Sequence, residues 1–244
     1  MRVTPLLAVL ICAALANPQS MPPPGHETLH YNVEWRLITA GKAVVDWGPA
    51  PRSDWQVKFH LESVGLVSKL FKVEDDYSAI LSQSLCTQGV EMTTHEGNRR
   101  RETRIQFEGA AHRSSYVERD LVRNSVMLSK EIEIPSCVHD VIGGLFYVRT
   151  LRLEPGQSAQ VAVSDGKKSV LANVEAQQRE DVRTPAGTFK TVQYEIMLFN
   201  GVLFQRSAHL HVWVTDDARR IPVQIRVRMP VTIGTITLQL EKRE

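Results

Sequence analysis

The 244-residue chain carries 29 Lys and Arg against 27 Asp and Glu, a formal net charge of +2, with 43% hydrophobic and 23% charged residues. That near-neutral balance argues against nucleic acid, or an anionic membrane surface, as the main partner. It is ordinary for a globular protein, and the chain is long enough to bury about 70% of its unfolded surface in a core.

The chain opens MRVTPLLAVLICAALA, with one cation at Arg2, an uncharged apolar run from Pro5 to Leu15, and the small-x-small triplet Ala14-Leu15-Ala16. These are the parts of a secretory signal peptide, assigned to residues 1–16. The run is too short to span a bilayer, and no later stretch approaches about 18 consecutive apolar residues, so the protein is expected to be exported and not integral to the membrane. Cys12 follows Ile11, where a lipid-modification site requires a small residue. Residues 17–26, beginning NPQSMPPPG, are expected to be a flexible proline-rich spacer. Residues 27–244 show no compositional break and no repeat, and are expected to form a single β-rich domain.

The dominant period of that domain is two. Tyr31, Val33, Trp35 and Leu37 alternate with polar neighbours, as do Trp55, Val57, Phe59 and Leu61. The pattern returns at Val192/Tyr194/Ile196/Leu198, Leu210/Val212/Val214 and Val223/Ile225/Val227/Met229. Each run reads as a half-buried antiparallel strand. Turn chemistry separates them at Glu96-Gly97-Asn98, Ser164-Asp165-Gly166-Lys167, Pro185-Ala186-Gly187 and Asp216-Asp217. About ten to twelve strands are expected. Cys86 and Cys137 would meet an oxidising compartment after export and are expected to be bridged.

One segment changes period. In HDVIGGLFYVRTL, residues 139–151, apolar side chains fall at Val141, Leu145 and Val148 with Ile142 and Phe146 beside them, which is helical spacing. Asp140 suits the N-cap, and Gly143-Gly144 points to close packing on a sheet. The expected fold class is mainly all-β: a strongly curved antiparallel sheet, or a barrel-like fold, with one short helix.

YNVEWRLITAGKA (31–43), FKVEDDY (71–77), HDVIGGLFYVRTL, TPAGTFKT (184–191), VWVTDDARRIPVQI (212–225) and IGTITLQL (233–240), in this order, resemble the exported bacterial family catalogued as domain of unknown function 3108. Gly143-Gly144 departs from the Ser-Ala-like pair expected of its members. The resemblance implies an envelope, periplasmic location and a β-rich fold, and it brings no activity, substrate or catalytic residue.

Asp216 and Asp217 precede Arg219 and Arg220 between two alternating strands; an acid/base pair needs a dry cleft, and consecutive charges with turn formers read as a hairpin instead. The His209-x-His211 pair places both rings on one strand face, as in zinc sites, yet spacing nominates no third ligand and a polar face is the simpler reading. Cys137 with His139 and Asp140 lists a thiol and a base, but the expected disulfide consumes the thiol. Asp75, Asp76 and Arg149 lie in apolar surroundings, where a carboxylate could pin the helix to the sheet. The run Asn98-Arg99-Arg100-Arg101 reads as a solvated hairpin tip.

No catalytic residue, metal or cofactor is assigned. The reading is a non-enzymatic envelope protein that binds a lipid-like or amphipathic molecule in an apolar groove formed by Trp35, Trp55, Phe59, Gly144, Phe146 and Tyr194. Structural roles go to Cys86, Cys137, Asp75, Asp140, Arg149, Asp216 and Asp217. The alternatives are an assembly factor that contacts another envelope protein, and a hydrolase with an unrecognised site.

Overall fold

The computed structural model describes residues 25–36, 38–198, 208–228 and 234–244. The signal-peptide assignment and most of the spacer lie outside the described residues, as do Leu37 and Met229. Fourteen strands appear: β1 (Glu27–Trp35), β2 (Ile38–Pro49), β3 (Trp55–Ser63), β4 (Val73–Leu81), β5 (Thr87–Glu96), β6 (Arg99–Glu108), β7 (Arg113–Asp120), β8 (Ser125–Glu133), β9 (Ser158–Ser164), β10 (Ser169–Thr184), β11 (Gly187–Leu198), β12 (Ala208–Thr215), β13 (Pro222–Arg228) and β14 (Thr235–Arg243). Helix α1 (Gly65–Leu70) joins β3 to β4, and α2 (Val141–Val148) lies between β8 and β9.

All fourteen strands belong to one antiparallel sheet, ordered β8 through β1 and then β14 back to β9. Each strand pairs with its sequence neighbour, except that β1 pairs with β14, while β8 and β9 are the two ladder edges. As the alternation predicts, Tyr31, Val33, Val57, Val192, Tyr194, Ile196, Val223 and Ile225 are buried, while Trp35, Trp55, Phe59 and Val227 are half-buried.

No ladder joins the two edges, so the sheet is curved but not closed. Residues 138 and 139 link β5 to β9: the Val138 carbonyl accepts from Thr87 N–H at 2.8 Å, and His139 exchanges hydrogen bonds with Ala162 and Ser164 at 2.9 Å each. Farther along, the β9–β10 turn packs on β6 and β7. Gly166 there has φ of +80°, and a Cβ would come within 2.7 Å of Ile105, so only glycine fits. The Lys167 ammonium sits 4.9 Å from the centre of the Tyr116 ring. Curvature and these contacts make an incompletely laddered, barrel-like body.

Cys86 and Cys137 form the expected disulfide, with Cα atoms 5.1 Å apart and a sequence separation of 51. It fastens the start of β5 to the segment that leads into α2.

Candidate functional site

The site is organised by α2. The Asp140 carboxylate accepts from the N–H groups of Ile142 and Gly143 at 2.7 and 3.0 Å, capping the helix, and from Thr87 Oγ1 at 2.8 Å. The Tyr77 hydroxyl donates to the same carboxylate, and burial together with that anion pushes the phenol pKa well up. One carboxylate thus ties the helix start to β4 and β5. Gly143 permits the approach, since a Cβ there would meet Asp140 at 2.6 Å and Leu81 at 2.9 Å.

The other end is held by Arg149. Its guanidinium donates to the Arg220 carbonyl at 2.8 Å and the Arg219 carbonyl at 3.1 Å, and lies 2.7 Å from the Glu27 carboxylate. Arg243 Nε approaches the same carboxylate at 3.1 Å. These are ion-pair contacts rather than well-aligned hydrogen bonds, and Arg149 Nη1 finds no acceptor among the described residues. Arg220 answers from the β12–β13 turn: it is buried, with Nη2 donating to the Leu151 carbonyl at 2.7 Å and to the Tyr194 hydroxyl.

Between α2 and the sheet lies a cavity of about 220 Å³. Val141, Ile142, Leu145 and Phe146 form its helical wall, and Phe59, Leu210, Ile225, Ile236 and Leu238 are among the strand residues opposite. Tyr31 belongs to the wall through its ring, because its hydroxyl is spent on the Pro222 carbonyl at 2.7 Å. Arg149 likewise contributes its alkyl stem, and among the described residues no polar atom is exposed to the cavity. Cavities of roughly 150 Å³ with aliphatic walls stay dry and admit small apolar molecules. The chemistry available here is therefore sequestration of an apolar group.

The residues singled out from the sequence divide accordingly. Phe59 and Phe146 line the cavity. Trp55 stands behind it, stacked at 5.1 Å on Trp47, which in turn stacks at 4.6 Å on Phe146. Gly144 faces a separate void of about 20 Å³ on another side of α2. Tyr194 is wholly buried and hydrogen-bonded to the Leu151 carbonyl at 3.2 Å, outside the cavity wall. Trp35 also lies outside that wall, with Arg36 at 5.0 Å from its ring.

Asp75 and Asp76 do not pin the helix. They point to opposite faces of β4 and are engaged elsewhere: Asp75, on the face of Tyr77, accepts from His95 N–H at 3.1 Å, and Asp76 pairs with the His60 ring at 2.8 Å. Burial is the main cause of the raised Asp75 pKa. The pinning residues are Tyr77 and Glu27. Asp217 closes the expected turn by accepting from Thr215 Oγ1 at 2.7 Å and from the N–H groups of Arg219 and Arg220 at 3.1 and 3.2 Å, and Asp216 meets Arg179 at 2.9 Å. Arg219 pairs with Asp217 at the surface at 3.0 Å, whereas Arg220, with φ of +53°, turns inward.

His211 shares a 3.2 Å contact with Gln193; the His209 side chain lies outside the described residues. Among the described residues, no group of three His, Cys, Asp or Glu side chains could hold a metal ion. The Cys137 thiol is consumed by the disulfide. His139 is buried, which lowers its pKa, and its Nδ1 lies 2.9 Å from the Leu85 carbonyl. Among the described residues, no helix is long and apolar enough to cross a membrane.

The family described as "Protein of unknown function (DUF3108)" matches residues 30–241. A β-barrel-like protein of domain of unknown function DUF1849 from Brucella abortus is similar over 92% of this chain and 99% of its own, with a TM-score of 0.59 at 6% identity. A protein from Bacteroides fragilis with a YmcC-like fold is similar over 91% of this chain and 97% of its own, with a TM-score of 0.38 at 10% identity. No curated protein matches the sequence.

Proposed function

The chain belongs to the DUF3108 family of unknown function, and we propose that it is an exported, non-enzymatic binder of an apolar or amphipathic molecule, whose apolar part occupies the cavity beside α2. The observation that carries this reading is the 220 Å³ cavity with an all-carbon accessible wall. Close packing would normally fill such a space, because each void forfeits dispersion contacts along its lining. Here the helix is fixed at both ends by polar contacts, Asp140 at one and Arg149 at the other, and so is kept from collapsing onto the strands. Export is supported by the disulfide, which persists in an oxidising compartment. Native mass spectrometry of the protein purified from its own envelope tests the reading: an apolar or amphipathic adduct in one-to-one ratio supports it, and a ligand-free mass under gentle ionisation opposes it.

A second reading, an assembly factor working through a sheet edge, is favoured by β8. This edge strand is exposed along nearly its whole length, and an exposed edge offers unpaired backbone groups to another chain.

A further inference from the structure

The exposed large apolar side chains are not scattered. Of the ten among the described residues, nine lie on or within four residues of two connections or the β1–β2 hairpin: Ile38 beside that hairpin, Leu66, Leu70 and Phe71 in the α1 connection, and Leu121 and Val122 in the β7–β8 turn, with the remaining three at the start of β8. Leu70 is 78% exposed, Val122 67% and Leu66 66%. Isolated exposed leucines need no explanation, but a contiguous set does.

Topology makes the set contiguous. In an antiparallel meander every second connection falls on the same rim, so β1–β2, β3–β4, β5–β6 and β7–β8 share one. Hydrogen bonds stitch it together: Gly97 N–H to the Lys72 carbonyl at 2.8 Å, and Leu121 N–H to the Arg100 carbonyl at 2.9 Å. The Phe71 ring rests on Gly97, where a Cβ would come within 3.0 Å of it.

Charge on this rim is one-sided. The four connections contain Arg36, Lys69, Lys72 and Arg123 and no carboxylate, and Arg99 and Arg100 follow the β5–β6 turn directly. The connections on the opposite rim of β2 to β7, residues 50–54, 82–86 and 109–112, hold Arg52 and Asp54 and none of the exposed apolar set. Of the carboxylates that flank the apolar rim, Glu74 pairs with Lys72 at 2.7 Å and Asp120 accepts from the N–H groups of Val122 and Arg123 at 2.9 Å each, while Glu96, beside the β5–β6 turn, stands opposite Arg99 in the ladder. The whole-chain charge of +2 conceals this asymmetry.

We propose that the rim formed by the β1–β2, α1, β5–β6 and β7–β8 connections docks on the surface of an anionic phospholipid bilayer. Leu66, Leu70, Phe71 and Val122 enter the headgroup boundary, and the surrounding Lys and Arg side chains meet lipid phosphates. Apolar tips ringed by cations are the chemistry an interface of that kind rewards. The inference is independent of the cavity, so either can fail without the other.

The test is flotation of the oxidised, mature chain with vesicles of phosphatidylcholine alone or with about one third phosphatidylglycerol. The protein should float with the anionic vesicles, less so in about 0.5 M salt, where the screening length is a few ångströms. Leu70→Asp with Phe71→Asp should lower partitioning by about tenfold or more, and so should Val122→Asp, which sits on a different connection and guards against local misfolding. Arg52→Glu on the opposite rim should leave it unchanged. The proposal is overturned if anionic vesicles do not bind the protein, if the rim variants bind as well as the parent chain, or if the parent chain is a dimer that Leu70→Asp dissociates, which would make the rim a self-interface.

Discussion

Arg149, at the end of α2, and Glu27, at the start of β1, form an ion pair of 2.7 Å in which the side chains are 2% and 1% exposed. The pair joins residues 122 positions apart in sequence and holds the helix over the cavity. Removing one partner leaves the other charge buried, so Glu27→Ala and Arg149→Ala should each cost about 3–5 kcal/mol. The double replacement Glu27→Leu with Arg149→Met should cost less than either, as measured by urea unfolding. A double-variant cost equal to the sum of the two single costs would show that the two charges do not depend on each other.

Reduction of the Cys86–Cys137 bridge should destabilise the protein by about 4 kcal/mol, for a loop set by the separation of 51 residues. Intact mass under non-reducing conditions should be lower by two hydrogens than after reduction. Two freely alkylated thiols in the folded, exported protein would contradict the bridge and the compartment together.

His139 predicts a pH dependence. Its burial lowers the folded-state pKa below the usual value of 6.5, so between that value and the lower folded one the unfolded chain binds a proton that the folded chain does not. Stability is therefore full above about pH 6.5 and falls as the pH drops toward the folded pKa. The lowered carboxylates, among them Asp217 and Glu154, act only at more acidic pH. His139→Gln should flatten the profile of unfolding free energy between pH 7.5 and 5.5, and an unchanged slope would contradict the assignment.

In the β12–β13 turn the two aspartates should separate. Asp216 makes an exposed ion pair with Arg179, and Asp216→Asn should shift stability by no more than about 0.5 kcal/mol. Asp217 accepts from two backbone N–H groups and one hydroxyl, so Asp217→Ala should cost about 1–2 kcal/mol. Equal effects in chemical denaturation would count against this geometry.

The strand faces, the disulfide, the N-cap Asp140 and the turn at Asp217 were legible because each rests on a local signal: period two, cysteine number, or turn and cap chemistry. The strand count was less so. In β8 nearly every residue is exposed, leaving no alternation to read. Trp47, fully buried at the centre of the aromatic stack, lies in a strand whose period is blurred by apolar Val44 on the outward phase. Glu27 carries no sequence mark of burial; only its partner Arg149, reached through the whole fold, explains it. Trp55 and Tyr194 pack in the apolar interior, yet which inward residue meets a cavity depends on where α2 lies across the sheet.

The most direct test of the central claim is titration of the folded, oxidised protein with a fluorescent fatty acid, beside the variant Ile236→Trp, which places a ring in the cavity. The account predicts one saturable site per chain in the parent protein and its loss in the variant, with both melting cooperatively. Absence of saturable binding to a well-folded parent chain, or equal binding by the filled variant, would contradict it.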